Sequence, residues 1–154
     1  MTDTLSVVIA EDDEGHATLV RRNLKRGGLN SEPVHVRDGQ EALDYMYRRA
    51  GWGNRPTHDA LVLLLDLNMP RLGGFEVLRR LKGDAKLTRI PVIVLTTSDD
   101  PAEVDRCYAL GAAICIVKPI DYAAFSDTVQ RLAQFLMTAR IPGETPSPQT
   151  PYGR

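Results

Sequence analysis

The stretch LLLDLNMPRLGG, Leu63 to Gly74, ends an apolar run on a single carboxylate and then turns the chain. Aliphatic residues that are continuous rather than alternating with polar ones are typical of a parallel strand covered on both faces. Asp66 stands at the carboxyl end of this run, and Pro70 and Gly73 follow it in a segment that favours a turn. The stretch therefore predicts a buried strand that presents an acid at its exit.

Continuous aliphatic runs alternate with stretches of helical periodicity along the rest of the chain. The runs cover residues 5–10, 61–66, 91–96 and 113–118, and a fifth candidate, Glu32 to Arg37, alternates polar with apolar residues. Because this fifth run carries Pro33, which has no N–H to donate, we assign it to a sheet edge. The alternation predicts an α/β fold, a doubly wound (βα)5 sheet of five parallel strands, and leaves the strand order open.

Composition limits the class of protein. With 154 residues, of which 43% are hydrophobic and 25% charged, the chain is long enough for one compact core. We expect one domain over residues 1–140, and the proline-rich and polar residues 141–154 predict a disordered tail. The net charge of −1 provides no positive electrostatic field that would attract nucleic acid. No apolar run is long enough to cross a membrane, and the N-terminal residues lack the pattern of a secretion signal. We expect a cytoplasmic protein.

Polar side chains follow the predicted strands where each strand ends. In an open α/β sheet these carboxyl ends meet along one edge, where ligands gather. The residues brought to that edge are Glu11, Asp12 and Asp13 after the first strand, Asp66 after the third, Thr96, Thr97 and Ser98 after the fourth, and Lys118 and Pro119 at the fifth. Each has a plainer role as a turn, cap or surface residue when taken singly, but the joint arrangement indicates a phosphate site.

The chemistry of these residues fits phosphoryl transfer. A cluster of carboxylates without His or Cys ligands prefers a hard cation, which indicates Mg²⁺ or Mn²⁺ rather than zinc. With the cation to neutralise charge, Asp66 is placed to act as a nucleophile on phosphorus. Thr96 offers a hydroxyl group and Lys118 a compact positive charge to the phosphoryl oxygens.

Four blocks of the sequence, VVIAEDD, LLLDLNMPRLGG, PVIVLTTS and IVKP, resemble the signature blocks of the receiver domain of two-component response regulators. The resemblance spans Leu5 to Phe135 and implies a flavodoxin-like fold with strand order 2-1-3-4-5. It implies that Asp66 is phosphorylated in a phosphorelay that depends on Mg²⁺. Asp12 would bind the metal directly, Glu11 through water, and Asn68 through its main-chain carbonyl.

The resemblance also assigns the remaining residues of the site. Thr96 matches the switch hydroxyl and Lys118 the phosphate-contacting lysine, with a cis peptide bond expected before Pro119. Cys115 stands where the family commonly has an aromatic residue that turns inward as the threonine moves. Because a cysteine side chain is too small to replace that moving ring, we expect the effect of phosphorylation to pass mainly through the backbone of the loop after the fourth strand. Asp13 is expected to start the first helix rather than to bind the metal.

The same resemblance also implies which proteins this chain binds. The long connection from Tyr47 to Ala60 is similar to that of small regulators consisting of a receiver alone that serve phytochrome-type histidine kinases, and no output module is expected after the last helix. Trp52 in this connection is either a partner anchor or a ring that caps the second helix. Pairing with a second copy is expected through the fourth helix, fifth strand and fifth helix, with candidates Arg106, Tyr108 and Arg131.

Two rival functions are less well supported by the residues. A phosphatase with an aspartyl intermediate needs a second acid two residues after the nucleophile, where this chain has Asn68. An interaction module that is not phosphorylated would ordinarily have lost the acidic pair, the threonine or the lysine, and all are present here. We therefore expect a signalling protein and not an enzyme with a separate substrate.

Overall fold

The computed structural model describes residues 4–145, which form a five-stranded parallel sheet with helices on both faces. The sheet order is β2-β1-β3-β4-β5, and the elements are β1 Leu5–Ala10, α1 Glu14–Arg26, β2 Val34–Val36, α2 Gly39–Tyr47, β3 Ala60–Asp66, α3 Gly74–Lys82, β4 Val92–Thr96, α4 Pro101–Ala109, β5 Ile114–Val117 and α5 Tyr122–Thr138. The predicted fold class and strand order are confirmed. None of the helices in the described part of the chain combines the length and hydrophobicity needed to span a bilayer.

The central strand β3 explains the continuous apolar run. All seven of its residues are buried, because successive side chains point to opposite faces and both faces are covered. Leu63 and Leu65 pack into the layer that contains α2 and α3, whereas Val62 and Leu64 pack against α1 and α5. The strand is thereby held from both sides, which fixes the position of Asp66 at its end.

The second strand lies at the sheet edge, as the alternating sequence predicted. β2 is only three residues long and pairs in parallel with β1, with Val34 opposite Val8 and Val36 opposite Ala10. The sequence predicted a strand over Glu32 to Arg37, which is longer than the observed strand at both ends. At the other edge, β5 is half-buried to exposed along its whole length.

Residues 141–145, which lie within the segment that the sequence predicts as a disordered tail, make specific contacts with the domain. The Pro142 carbonyl accepts a hydrogen bond of 3.1 Å from the N–H of Leu61, and the N–H of Glu144 donates to the carbonyl of His58 at 3.1 Å. The Glu144 carboxylate pairs with Arg55 through two hydrogen bonds of 2.7 and 2.9 Å. Composition does not reveal this contact because its partners lie far apart in sequence; residues 146–154 lie outside the described part.

The long connection between α2 and β3 packs around Tyr45. It contains one turn of 3₁₀ helix over Ala50–Trp52, and the Trp52 ring meets the Tyr45 ring edge to face with centroids 4.8 Å apart. The Arg55 guanidinium lies 4.2 Å from the centroid of the Tyr45 ring. The Tyr45 hydroxyl is 2.6 Å from Nε2 of His58. Of the two interpretations of Trp52, the structure favours a ring that packs at the end of α2.

Replacing Glu144 with alanine should strongly destabilise the fold. The side chains of Arg55 and Glu144 are 4% and 9% exposed, so the variant leaves a buried guanidinium without its partner. We expect the free energy of unfolding to fall by about 3 kcal/mol or more, measured by urea denaturation. Asp127→Ala, which removes the exposed partner of Arg131, is the control and should unfold like the parent. A Glu144→Ala variant as stable as this control would contradict the packed position of residues 141–145.

Candidate functional site

The acidic residues meet at the carboxyl edge of the sheet. Residues Ala10 and Leu65 are partners in the β1–β3 register, so the next residue of each strand, Glu11 and Asp66, emerges beside the other. Glu11, Asp12 and Asp66 each offer a carboxylate oxygen, and these oxygens all lie within 4.8 Å of one another. Glu11 and Asp66 are buried, whereas Asp12 is exposed. The structure thus brings together the three carboxylates that the sequence singled out.

The segment after β1 is held by the neighbouring edge strand. The N–H of Glu11 donates to the carbonyl of Val36 at 3.1 Å, and Nε2 of His35 lies 2.6 Å from the Glu11 carbonyl. Asp13 accepts a hydrogen bond from the N–H of His16 at 2.9 Å and so caps α1, as expected for a residue outside the metal shell. Sequence reasoning missed His35, although a polar residue inside the strand VHV was a signal.

The loop after β3 turns closely past Asp66, and glycine makes this turn possible. A Cβ atom at Gly74 would lie 2.6 Å from the Asp66 carbonyl oxygen, so a side chain there would displace the loop. The N–H of Gly74 donates to the carbonyl of Leu67 at 2.9 Å, which closes the base of the loop. Asn68 is exposed, and its N–H donates to Oδ1 of Asp66 at 3.2 Å.

Lys118 supplies positive charge to the carboxylates from the end of β5. Its Nζ lies 3.0 Å from Oε1 of Glu11 and 3.9 Å from Oδ2 of Asp66, and the side chain is buried. The cis peptide bond expected before Pro119 is wrong: residues 4–145 contain no cis peptide bond. Lys118 follows β5 directly, and its N–H donates to the carbonyl of Thr96 at 2.6 Å.

The two buried carboxylates have opposite pKa shifts. Burial raises the pKa of Asp66 to about 7, and the nearby Glu11 charge adds to this, against the lowering by Lys118. For Glu11, burial also favours the neutral form, but the adjacent Lys118 ammonium outweighs it and holds the pKa below its usual value. Lys118 therefore stabilises chiefly the charge on Glu11, and Asp66 is left in need of a further cation.

The hydroxyl-bearing residues follow β4. Thr96 is buried, and its Oγ1 accepts a hydrogen bond from the N–H of Ser98 at 3.1 Å, which shapes the loop before α4. Thr97 is exposed beside Lys118, on the wall of a groove between α1 and the start of α5. Thr96 is therefore tied to the loop before α4 through its hydroxyl and to β5 through its carbonyl.

Cys115 lies half-buried on β5 and contacts Cys107, a buried residue of α4. Burial raises the pKa of both thiols, that of Cys107 to about 11, so neither is a reactive thiolate. The N–H of Cys115 donates to the hydroxyl of Tyr108 at 3.1 Å. An aromatic residue thus contacts this position from α4 rather than standing in β5.

The donor set fits a hard divalent cation. The clustered ligands are carboxylate oxygens, and the described residues place no His or Cys atom among them. Oxygen ligands of this kind suit Mg²⁺ or Mn²⁺. Burial and the neighbouring Glu11 charge raise the pKa of Asp66, and a cation bound at this cluster would favour its ionised form.

The chain is an α/β domain of five parallel strands that carries an acidic cluster, a buried threonine and a lysine at the carboxyl edge of its sheet. The response regulator receiver domain family matches residues 7–130, and the chain belongs to that family. The family resemblance stated from the four sequence blocks is confirmed.

Three individual proteins show which members of the family this chain resembles. The probable methanogenesis regulatory protein FilR2 of Methanothrix harundinacea is 33% identical over 92% of this chain and 90% of its own length. The Mn²⁺-bound form of response regulator Rcp1, a protein of Synechocystis, is 31% identical with a TM-score of 0.83 and covers 89% of this chain and 98% of its own. The phosphorylated cyanobacterial phytochrome response regulator RcpA is 33% identical with a TM-score of 0.82, over 89% and 97%. The chain is thus similar to phytochrome response regulators.

The stability of the metal-free protein should fall as the pH rises from about 4 to about 7. The Asp66 carboxyl has an ordinary pKa of 3.8 in the unfolded chain and a pKa of about 7 in the folded one, so the folded chain binds its proton more tightly in this window. Asp66→Asn should remove this loss, and the variant should be more stable than the parent at about pH 8 in EDTA. Denaturation with and without Mg²⁺ measures both effects.

Asp13→Asn is the matched control, because asparagine keeps the helix cap while Asp66 is unchanged. Mg²⁺ should stabilise the parent more at about pH 8 than at about pH 5, where Asp66 holds its proton. An Asp66→Asn variant that is less stable than the parent at the higher pH, in EDTA, would contradict the raised pKa.

Proposed function

We propose that the protein is a response regulator that accepts a phosphoryl group on Asp66 from a sensor histidine kinase. The observation that carries the proposal is the meeting of Asp66 with Glu11, Asp12 and Lys118 at the exit of a rigid buried strand. The fixed strand holds the nucleophile, and the neighbouring charges are placed where a phosphoryl group would bind.

The reaction is an exchange of bonds at phosphorus. An ionised Asp66 oxygen attacks the phosphorus of a phosphohistidine or small phosphodonor, the bond to the leaving group breaks, and its electron pair stays with that group, which takes up a proton from water. Lys118, whose Nζ lies 3.9 Å from Oδ2 of Asp66, is placed to bind the phosphoryl oxygens. The Thr96 hydroxyl accepts a hydrogen bond from the N–H of Ser98, so its own hydrogen is left to donate to a phosphoryl oxygen. Later attack by water on the acyl phosphate returns the Asp66 carboxylate and releases inorganic phosphate.

The proposed reaction also requires a divalent cation at the carboxylate cluster. Bound Mg²⁺ or Mn²⁺ would neutralise charge on the attacking and phosphoryl oxygens. Asp12 and Asp66 would hold the ion directly, Glu11 through water, and Asn68 through its main-chain carbonyl. The carboxylate chemistry of the cluster supports this choice of ion, and the Mn²⁺-bound structure of the relative Rcp1 agrees with it.

The partner class is a histidine kinase of the phytochrome type, acting in the cytoplasm. Similarity to RcpA, which is a phytochrome response regulator, and to the bacteriophytochrome response regulator RtBRR supports it. The phosphatase alternative stays disfavoured, because the residue two positions after Asp66 is Asn68, which is not an acid. The alternative of an interaction module without phosphorylation is also disfavoured, since Glu11, Thr96 and Lys118 converge on Asp66 or its strand end.

The proposal also includes the formation of a homodimer through α4, β5 and α5. Exposed apolar side chains lie on these elements, with Tyr108 48%, Val117 39% and Tyr122 66% exposed. Of the charged candidates, Arg131 pairs with Asp127 on α5, whereas Arg106 lies 4.0 Å above the ring of Phe75 and is engaged with α3. We therefore base the interface on Tyr108 and Val117.

Incubation with acetyl phosphate and Mg²⁺ should add the mass of one phosphoryl group to the protein, and Asp66→Asn should gain none. Asp13→Asn, the adjacent exposed acid, should be modified like the parent. Lys118→Ala should react about a hundredfold more slowly, because a fixed positive charge is lost from the transition state. Intact-mass spectrometry over time measures all four, and an Asp66→Asn protein that is modified as fast as the parent would overturn the assignment.

Phosphorylation should favour a dimer that Tyr108→Glu weakens at least tenfold, because a charge replaces an exposed aromatic anchor. Light scattering after size-exclusion chromatography, with and without phosphodonor, gives the mass. Arg37→Ala is the control, since Arg37 follows the opposite edge strand β2. A monomer mass for the fully phosphorylated parent at high concentration would remove the dimer from the proposal.

A further inference from the structure

The loop between Asp66 and Gly74 touches α2 at its tip. The first residue of α2 is Gly39, and a Cβ atom there would lie 2.0 Å from the carbonyl oxygen of Leu72. Only a residue without a side chain permits this contact between two stretches of backbone. The loop that carries Asn68 is therefore packed at its tip against an element that is otherwise distant in sequence.

An ion pair lies beside this backbone contact. Nε of Arg71 donates to Oδ2 of Asp38 at 2.9 Å, and the terminal nitrogen of the same guanidinium donates to Oδ1 at 3.0 Å. Asp38 is itself fixed, because it caps α2 and accepts a hydrogen bond from the N–H of Glu41 at 2.7 Å. The two-point geometry requires both a planar guanidinium and an immobile carboxylate, and the structure provides both.

The backbone of Arg71 is unusual for a residue with a side chain. Its φ of +64° lies in the left-handed region, which is costly for residues other than glycine. Such a conformation persists where the surroundings impose it, and here the surroundings are the Asp38 pair and the Gly39 contact. The Arg71 side chain is 62% exposed, so the pair adds little to global stability and acts on the local shape of the loop.

From this geometry we infer that Arg71 is a positioning residue for the metal and phosphoryl site. Through Asp38 it ties the tip of the loop to the start of α2, and the loop then holds the main chain of Asn68 beside Asp66, where the N–H of Asn68 reaches Oδ1 at 3.2 Å. The inference rests on the proposed function, since it assigns Arg71 a part in forming that site. Partners that orient a metal ligand commonly change the affinity tenfold to a hundredfold.

Calorimetric titration with Mn²⁺ tests the inference. Arg71→Ala should bind Mn²⁺ about tenfold more weakly than the parent, and Arg71→Lys should fall between them because a lysine cannot form the two-point pair. Arg79→Ala is the matched control: Arg79 has a similarly exposed side chain and also pairs at two points, with Glu76, but within helix α3. It should bind Mn²⁺ like the parent.

The outcomes separate the inference from the proposed function. Asp12→Asn should lose Mn²⁺ binding; a parent protein that binds no Mn²⁺, or an Asp12→Asn variant that binds it fully, would overturn the proposed site. If the site stands and Arg71→Ala binds as tightly as Arg79→Ala, the positioning role is overturned alone. Asp38→Asn gives a second measurement should Arg71→Ala unfold more easily, because asparagine keeps the cap and loses the charge. Unchanged affinity in that variant also overturns the role.

Discussion

Three carboxylates that repel one another are held at one sheet edge because the strands beneath them cannot move apart. β1 and β3 are paired along six residues, and β3 is buried on both faces. Separating Glu11 from Asp66 would break this register and expose the core, whose burial is the main source of stability. The repulsion is therefore relieved by charge rather than by movement, through Lys118, through proton uptake at Asp66, or through a cation.

The distances of Lys118 show how this balance would shift on phosphorylation. Its ammonium lies closer to Glu11, at 3.0 Å, than to Asp66, at 3.9 Å. A phosphoryl group on Asp66 would add about two negative charges and would compete for the lysine. The backbone N–H of Lys118 is bonded to the carbonyl of Thr96, so a shift of the Lys118 backbone would also displace the end of β4.

The sequence predicted those features that depend on local pattern. Continuous aliphatic runs identified the buried strands, and the residues after them formed the site because parallel strands share one carboxyl edge. The Arg55–Glu144 pair and the Arg71–Asp38 pair were missed, because each joins segments whose proximity depends on the completed fold. The expectation of a cis bond before Pro119 came from the family resemblance and not from the residues, and it was wrong for the described part of the chain.

The substitution at Cys115 has a structural counterpart on the neighbouring helix. Tyr108 of α4 accepts a hydrogen bond from the Cys115 N–H, a donor of a strand that lies at the sheet edge. An edge N–H without a strand partner needs another acceptor or water, and this hydroxyl supplies the acceptor. A displacement of α4 would therefore carry β5 with it or break this bond. The contact between helix and strand thus depends on an aromatic residue, which comes from α4 and is itself exposed.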